Sequence, residues 1–240
     1  MKTRTKWLPI VTMLGFVLAA GMAMRLPLFS GNASAQGATP PQYRVYLPSQ
    51  KYAASSNPIW VTETVMSEGD VGQYQSLVLD SSGVPHISYY DATDKSLKYA
   101  VLNGTTWLIS TVDTAVGGSS SLALDGSNNP HIAYTHSGPS VHYAALSGTT
   151  WLIDTVDNAV GAGESLAIDS SGNPHIAYCG FGPHNGINYV NWTPSGWIRE
   201  SVDANSCGGN SPSLVLDGSD MPHISYYDAI NGDLKYAHLQ

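Results

Sequence analysis

The sequence predicts an all-β chain, a β-propeller of four blades closed by the chain's own N-terminal strand. Three observations carry that expectation. The phrase Asp-x-x-x-x-Pro-His-Ile occurs four times, as Asp80–Ile87, Asp125–Ile132, Asp169–Ile176 and Asp217–Ile224. Its histidines (His86, His131, His175, His223) step by 45, 44 and 48 residues, and a tryptophan keeps the same beat at Trp60, Trp107, Trp151 and Trp197. Each repeat also holds four short runs in which apolar residues alternate, and no helical period is sustained after the N-terminal segment. Four strands in a unit of about 45 residues is the size of a propeller blade.

In the first repeat the runs are Ser76-Leu77-Val78-Leu79-Asp80, His86-Ile87-Ser88-Tyr89-Tyr90, Leu97-Lys98-Tyr99-Ala100 and Trp107-Leu108-Ile109-Ser110-Thr111-Val112. Leu77 alternates with Leu79, Ile87 with Tyr89 and Leu97 with Tyr99, the period of two that a strand requires. Ser82-Gly83, Asp94-Lys95 and Asn103-Gly104 separate the runs as turns. The Asp that opens each phrase is read as capping a hairpin turn. Gly83 or Gly172 supplies a permissive backbone there, and the Pro stiffens it. Asp80, His86, Asp125, His131, Asp169, His175, Asp217 and His223 are therefore structural repeat residues, each His bonded to a nearby Asp or carbonyl. Second strands stand away from a propeller axis, so the four His cannot converge to the roughly 2 Å of a metal bond. The four Trp are read as blade packing.

The pattern Ser-Leu-x-Leu/Ile-Asp…Pro-His-Ile-x-Tyr…Tyr-Ala/Val…Trp resembles that of secreted bacterial β-propeller repeat proteins over residues 60–240. The resemblance implies the architecture and no particular chemistry, because propellers host enzymes and pure binders alike. In comparable propellers the run that ends in the Asp turn is innermost and the Trp run outermost. On that phase Trp60–Val65 is an outermost strand without a blade, and the fourth repeat stops at a third strand, Leu234–Leu239. The first is expected to complete the second and close the ring, which leaves few free edges. A fragment of a larger ring, or an oligomer that completes one, has the same phase.

Residues 1–35 read as an export signal: Lys2, Arg4 and Lys6, an apolar run from Ile10 to Met24, then Ala33-Ser34-Ala35 with Gln36 next. The rival reading is an uncleaved anchor, although this run is shorter than the roughly 20 residues a bilayer span needs. A Pro-rich linker covers 36–59, with Pro40, Pro41, Pro48 and Pro58, and the propeller 60–240. Export implies a secreted protein or one at a bacterial cell surface. Cys179 and Cys207 are then expected to form one disulfide. Cys179 ends a second strand and Cys207 joins the third repeat to the fourth, so both emerge on one face.

Beyond Ala35 the chain carries six basic and 18 acidic residues, a net charge of −12. This argues against nucleic acid and anionic membranes as partners and suits neutral sugars, cations or basic proteins. No cofactor is expected. Calcium is the one metal left open, at oxygen-rich turns such as Asp217-Gly218-Ser219-Asp220, which lack EF-hand spacing. The chain has no Gly-x-Ser-x-Gly, His-Glu-x-x-His, phosphate loop or dinucleotide fingerprint. A sialidase-type site is excluded on residue supply, since Arg44 and Arg199 are the only arginines after the signal. Glu164 is read as a loop residue just before an innermost strand.

Propeller ligands bind at the face built by second-to-third strand loops and blade-to-blade loops. There the first and fourth repeats place Tyr90-Asp91 and Tyr227-Asp228, and the second and third place His136 and His184. An aromatic ring beside a carboxylate is the usual chemistry for gripping a sugar. The expected function is thus an extracellular, non-catalytic, carbohydrate-binding module using Tyr90, Asp91, His136, His184, Tyr227 and Asp228. For Tyr-Asp the competing reading is plain turn chemistry. For the protein the alternatives are a protein-interaction scaffold and an extracellular hydrolase or lyase using Asp or His, acting as a monomer or a ring-completing oligomer.

Overall fold

The computed structural model describes residues 59–240 except 138–139, 159–160, 205 and 208–211. The export signal and all but the last residue of the linker lie outside the described residues. The described residues form 15 strands. The first sheet holds β1 (Val71–Leu79), β2 (Pro85–Asp91), β3 (Ser96–Asn103) and β4 (Thr106–Thr114). The second holds β5 (Val116–Leu124), β6 (Pro130–His136), β7 (Val141–Ser147) and β8 (Thr150–Asp157). The third holds β9 (Gly161–Ile168), β10 (Pro174–Gly180), β11 (Gly186–Thr193) and β12 (Gly196–Ala204), with a 3-10 turn at Gly182–His184. The fourth holds β13 (Ser213–Leu216), β14 (Pro222–Asp228) and β15 (Asp233–His238). Every sheet is an antiparallel meander in chain order. Among the described residues no helix is long and apolar enough to cross a membrane.

The Asp phrase builds each first hairpin. Oδ1 of Asp80 accepts from the backbone N–H of Ser82 and Val84, both at 2.8 Å, and Asp125, Asp169 and Asp217 repeat the pattern. These bonds hold the Asp80 carboxyl below the usual range, the one from Val84 most of all. Each turn needs one left-handed residue, and Gly83, Asn128, Gly172 and Asp220 fill that place at φ 82°, 65°, 87° and 61°. Gly, Asn and Asp are the residues that adopt this conformation most readily.

The four repeat histidines fasten second strands to third strands. Nδ1 of His86, His131, His175 and His223 pairs with the hydroxyl of Tyr99, Tyr143, Tyr189 and Tyr236. Nε2 of each faces its own turn Asp, at 3.9, 3.6, 3.4 and 3.5 Å. Burial pushes the pKa of His86 and His131 down and those of Tyr99 and Tyr189 up to about 12.

Successive sheets pack face to face in chain order, and apolar side chains fill three seams. Leu97, Tyr99 and Val112 meet Leu122, Ile132 and Tyr134 at the first. Val141 and Tyr143 meet Leu166, Ile176 and Tyr178 at the second. Ile187 and Tyr189 meet Leu214, Ile224 and Tyr226 at the third. The Ser-Leu dipeptide of the repeat ties first strands together. The hydroxyls of Ser76, Ser121 and Ser165 accept from the N–H of Leu122, Leu166 and Leu214 at 3.1, 3.0 and 2.9 Å. Outer-strand tryptophans finish two seams: Trp151 stands edge-on to Tyr99 and Trp197 to Tyr143, both with centroids 5.3 Å apart.

The expected strand over Trp60–Val65 is not formed, and the fourth sheet keeps three strands. Trp60 is 99% exposed rather than packed in a blade. A strand exists only through its ladder. This segment lies instead against the first sheet, where Oε1 of Glu63 accepts from Trp107 Nε1 at 3.0 Å.

Candidate functional site

Strand registers bring chemistry to one end of the sheets. Asp91, Ser96 and Thr114 lie side by side at that end of the first sheet, and Gly180, Gly186 and Ala204 at that end of the third. Here each fourth strand passes to the next sheet and each second strand turns into its third.

Three clusters of one design occupy the seams at this end. At the first, Tyr134 donates its hydroxyl to Oδ2 of Asp113 at 2.7 Å, with His136 Nε2 3.9 Å from the same oxygen. His136 also stacks on His142, with ring centroids 4.6 Å apart. At the second, Tyr178 donates to Asp157 Oδ2, and His184 Nδ1 lies 2.7 Å from that oxygen. At the third, Tyr226 donates to Asp203 Oδ2 at 2.8 Å and Lys235 Nζ donates to it at 2.9 Å. The carboxylate always ends an outer strand and the phenol always comes from the second strand of the following sheet. The basic partner differs from seam to seam.

Burial and the adjoining carboxylate make the phenols poor acids: burial first, then Asp203, pushes the Tyr226 hydroxyl up to about 12, and Tyr134 and Tyr178 are raised further. The phenols thus remain donors and hold the carboxylates in place. Burial, then His136, lowers the His142 pKa. The Lys and Arg residues of 59–240 are Lys95, Lys98, Arg199 and Lys235; Lys95 lies in the turn between β2 and β3 at this end, and Lys98 Nζ donates to Asp94 Oδ2 of that turn at 3.3 Å. Arg199 Nη1 donates to Asn188 Oδ1 at 2.8 Å, and Asn188 Nδ2 donates in turn to the backbone oxygen of His184 at 2.7 Å.

His136 and His184 therefore stand at two seams. Asp91 and Asp228 have a different employment. Oδ1 of Asp91 accepts from the N–H of Thr93 and Asp94, and Oδ1 of Asp228 from those of Ile230 and Asn231. Both side chains are buried, and Lys235, 2.7 Å from Asp228, does most to hold that carboxyl far below the usual range. Tyr90 packs against the first seam, and Tyr227 is exposed. The pairs Tyr90-Asp91 and Tyr227-Asp228 belong to the first and fourth sheets and are not brought together.

Cys179, near the end of β10, is disulfide-bonded to Cys207, in the connection from β12 to β13, with a Cα–Cα distance of 5.6 Å. The bond crosses the third seam at the same end. Glu164 is not a loop residue. It lies within β9, buried, and accepts from Thr135 Oγ1 at 2.6 Å and Ser119 Oγ at 2.7 Å. Burial pushes its carboxyl up. Among the described residues no group of three or more His, Cys, Asp and Glu side chains is placed to hold a metal ion.

The seam carboxylates Asp113, Asp157 and Asp203 went unrecognised in the sequence, yet they carry a signal. Each follows Val at the end of a Trp run, as Val112-Asp113, Val156-Asp157 and Val202-Asp203. The N-terminal run breaks the rule with Val65-Met66.

No protein-family model and no curated protein matches the chain. Among solved structures it is similar to the SapL1 lectin in complex with alpha methyl fucoside, at 14% identity over 71% of this chain and 63% of that one, TM-score 0.56. It is similar also to AofleA from Arthrobotrys oligospora, at 11% identity over 71% of this chain and 54% of that one, TM-score 0.55. A fucose lectin from Kordia zhangzhouensis in complex with methyl-fucoside matches at 19% identity over 52% of this chain and 96% of that one, TM-score 0.41. The chain thus spans less than two thirds of the length of SapL1 and AofleA. At these identities the likeness is one of fold. It is a likeness to β-propeller lectins, built like this chain from repeated antiparallel sheets.

Proposed function

We propose that the protein is an exported, non-catalytic binding module that recognises a carbohydrate at the seam end of its sheets. The observation that carries this reading is the threefold cluster of carboxylate, phenol and base at Asp113, Asp157 and Asp203. A sugar offers neighbouring hydroxyls that both donate and accept. A seam carboxylate accepts from one hydroxyl, and the second ring nitrogen of His136 or His184, or the ammonium of Lys235, hydrogen-bonds to the next. A neutral ligand of this kind is not repelled by an acidic domain. The exposed ring of Tyr227 adds an apolar platform at the fourth sheet, and Tyr90 lies at the rim of the first. The fold shared with lectins that bind fucosides supports a glycan as ligand. Two histidine seams and one lysine seam are three sites of different hydrogen-bonding character, so the sites are expected to differ in affinity. Binding is proposed to need no cofactor, and calcium, the one metal left open by the oxygen-rich turns, is tested directly with EDTA.

The test is a glycan array probed with the protein purified after export, in calcium and again in EDTA. Selective binding, equal in both buffers and at least tenfold weaker for His136→Ala combined with His184→Ala, is the expected result. A silent array, or binding indifferent to the double substitution, refutes the seam site. Loss in EDTA would show that a metal takes part.

A further inference from the structure

Each end of the described chain presents an unfilled half of a seam. Leu122, Leu166 and Leu214 occupy one repeat position and are 7, 8 and 5% exposed, whereas Leu77, their counterpart in the first sheet, is 63% exposed. On the opposite face, Leu97, Val141 and Ile187 are 0, 0 and 1% exposed, whereas their counterpart Leu234 is 85% exposed. Among the described residues the first sheet lacks a neighbour before it and the fourth lacks one after it.

Trp60-Val61-Thr62-Glu63-Thr64-Val65 reads as another copy of the outer strand, beside Trp107–Val112, Trp151–Val156 and Trp197–Val202. It already lies in outer-strand position relative to the first sheet. Trp107 Nε1 donates to Glu63, as Trp151 Nε1 donates to Ser110, the corresponding residue of the preceding outer strand. Val65 and Met66 line a hollow with Ile87 and Tyr89 of the first sheet. The segment thus has the sequence and the place of an outer strand, with no sheet of its own among the described residues.

The fourth sheet has the matching gap. In the other sheets the outer tryptophan pairs with Leu102, Leu146 or Trp192. Leu239 holds that position after β15 and, among the described residues, has no strand on its outer side. Trp151 and Trp197 each pack on a tyrosine of the preceding sheet. The tyrosine next in that series, Tyr189, borders instead a hollow of about 210 Å³ lined also by Val202, Pro222, Ile224, His238 and Leu239.

We infer that a second copy of this chain fills the gap. Two chains join head to tail in a closed ring, and Trp60–Val65 of each becomes the fourth strand of the other's last sheet. In that register Trp60 pairs with Leu239 and enters the hollow beside Tyr189. The hydroxyl of Ser213 meets the N–H of Leu77, as Ser76, Ser121 and Ser165 meet theirs. Leu234 enters the new seam against Ile87. In the single chain the two half-seams do not meet, since Leu77, Leu234 and Trp60 are 63, 85 and 99% exposed, whereas the strand that the fourth sheet of one copy lacks is the unpaired Trp60–Val65 segment of the next. A head-to-tail contact whose rotation closes gives a ring with no free edge. This inference does not depend on what the seams bind.

Light scattering of the protein purified after export, over a dilution series, is the test. A dimer is expected. Leu234→Asp and, separately, Trp60→Ala should weaken it about 100-fold, since each removes a large buried apolar side chain at the contact. Both positions are exposed in the single chain, so both variants should melt as folded monomers. A monomeric wild type, with Trp60 fluorescence either buried or exposed, overturns the inference. So does a dimer that neither substitution weakens.

Discussion

The cores of the three seams and the clusters at their ends are built from the same strands but obey different rules. In the cores one position takes nearly one residue: Ile132, Ile176 and Ile224 on the second strands, Tyr99, Tyr143 and Tyr189 on the third. At the ends the carboxylate and phenol repeat while the partner changes from a His136–His142 stack to His184 to Lys235. Packing density permits little variation in a core. A partly exposed polar position tolerates it. What repeats makes the fold, and what varies at fixed geometry is where selective recognition is available.

If that division holds, core substitutions should lower stability and leave ligand preference intact. Ile176→Ala removes a fully buried side chain of the second seam and should cost about 2–5 kcal/mol in chemical denaturation. The disulfide joins the two regions, since it ties the variable end of the third seam. Cys179→Ser with Cys207→Ser should cost about 2–4 kcal/mol by the same measurement. Deleting one link of the serine ladder should matter less: Ser121→Ala leaves the N–H of Leu166 without its acceptor and should cost about 1 kcal/mol. A loss as large as that of Ile176→Ala would make the ladder, not the apolar seam, the main tie between sheets.

Acid separates the regions in a further way. Burial depresses the pKa of His86, His131 and His142 below the ordinary 6.5. The unfolded chain therefore takes up these protons first. Their contribution to stability is complete above pH 6.5 and shrinks as the pH falls below it. The turn carboxylates Asp80, Asp125, Asp169 and Asp217 are depressed from 3.8, so their contribution is lost only in a second, more acid window. Melting temperature followed by circular dichroism should be level from pH 8 to 7 and decline from about 6.5 downward. A flat profile to pH 5 would show that the buried histidines are not neutral in the folded state.

The repeated part of the molecule was legible in the sequence because each element advertises itself locally. Asp80, Gly83 and Pro85 announce a turn, Leu77 and Leu79 a strand, and the 45-residue beat a blade. The disulfide was legible from the same phase, which put Cys179 and Cys207 on adjoining loops. The seam clusters were not, because Asp113 and Tyr134 are 21 residues apart and belong to different sheets. Tyr90-Asp91 and Tyr227-Asp228 drew attention by adjacency, yet in the fold Asp91 and Asp228 turn inward to cap their loops. The strand over Trp60–Val65 was legible as a strand sequence, but no described strand of the same chain pairs with it, and no local pattern reveals where a ladder will be found.

A titration of the best array glycan into wild type and His184→Ala, followed by calorimetry, bears on the seam site without intermediaries. His184 is partly exposed and contributes nothing to the apolar seams, so the variant should keep the wild-type melting temperature. The seam site predicts at least a tenfold rise in Kd or the loss of one class of sites. Unchanged affinity and stoichiometry in a fully folded variant would contradict it.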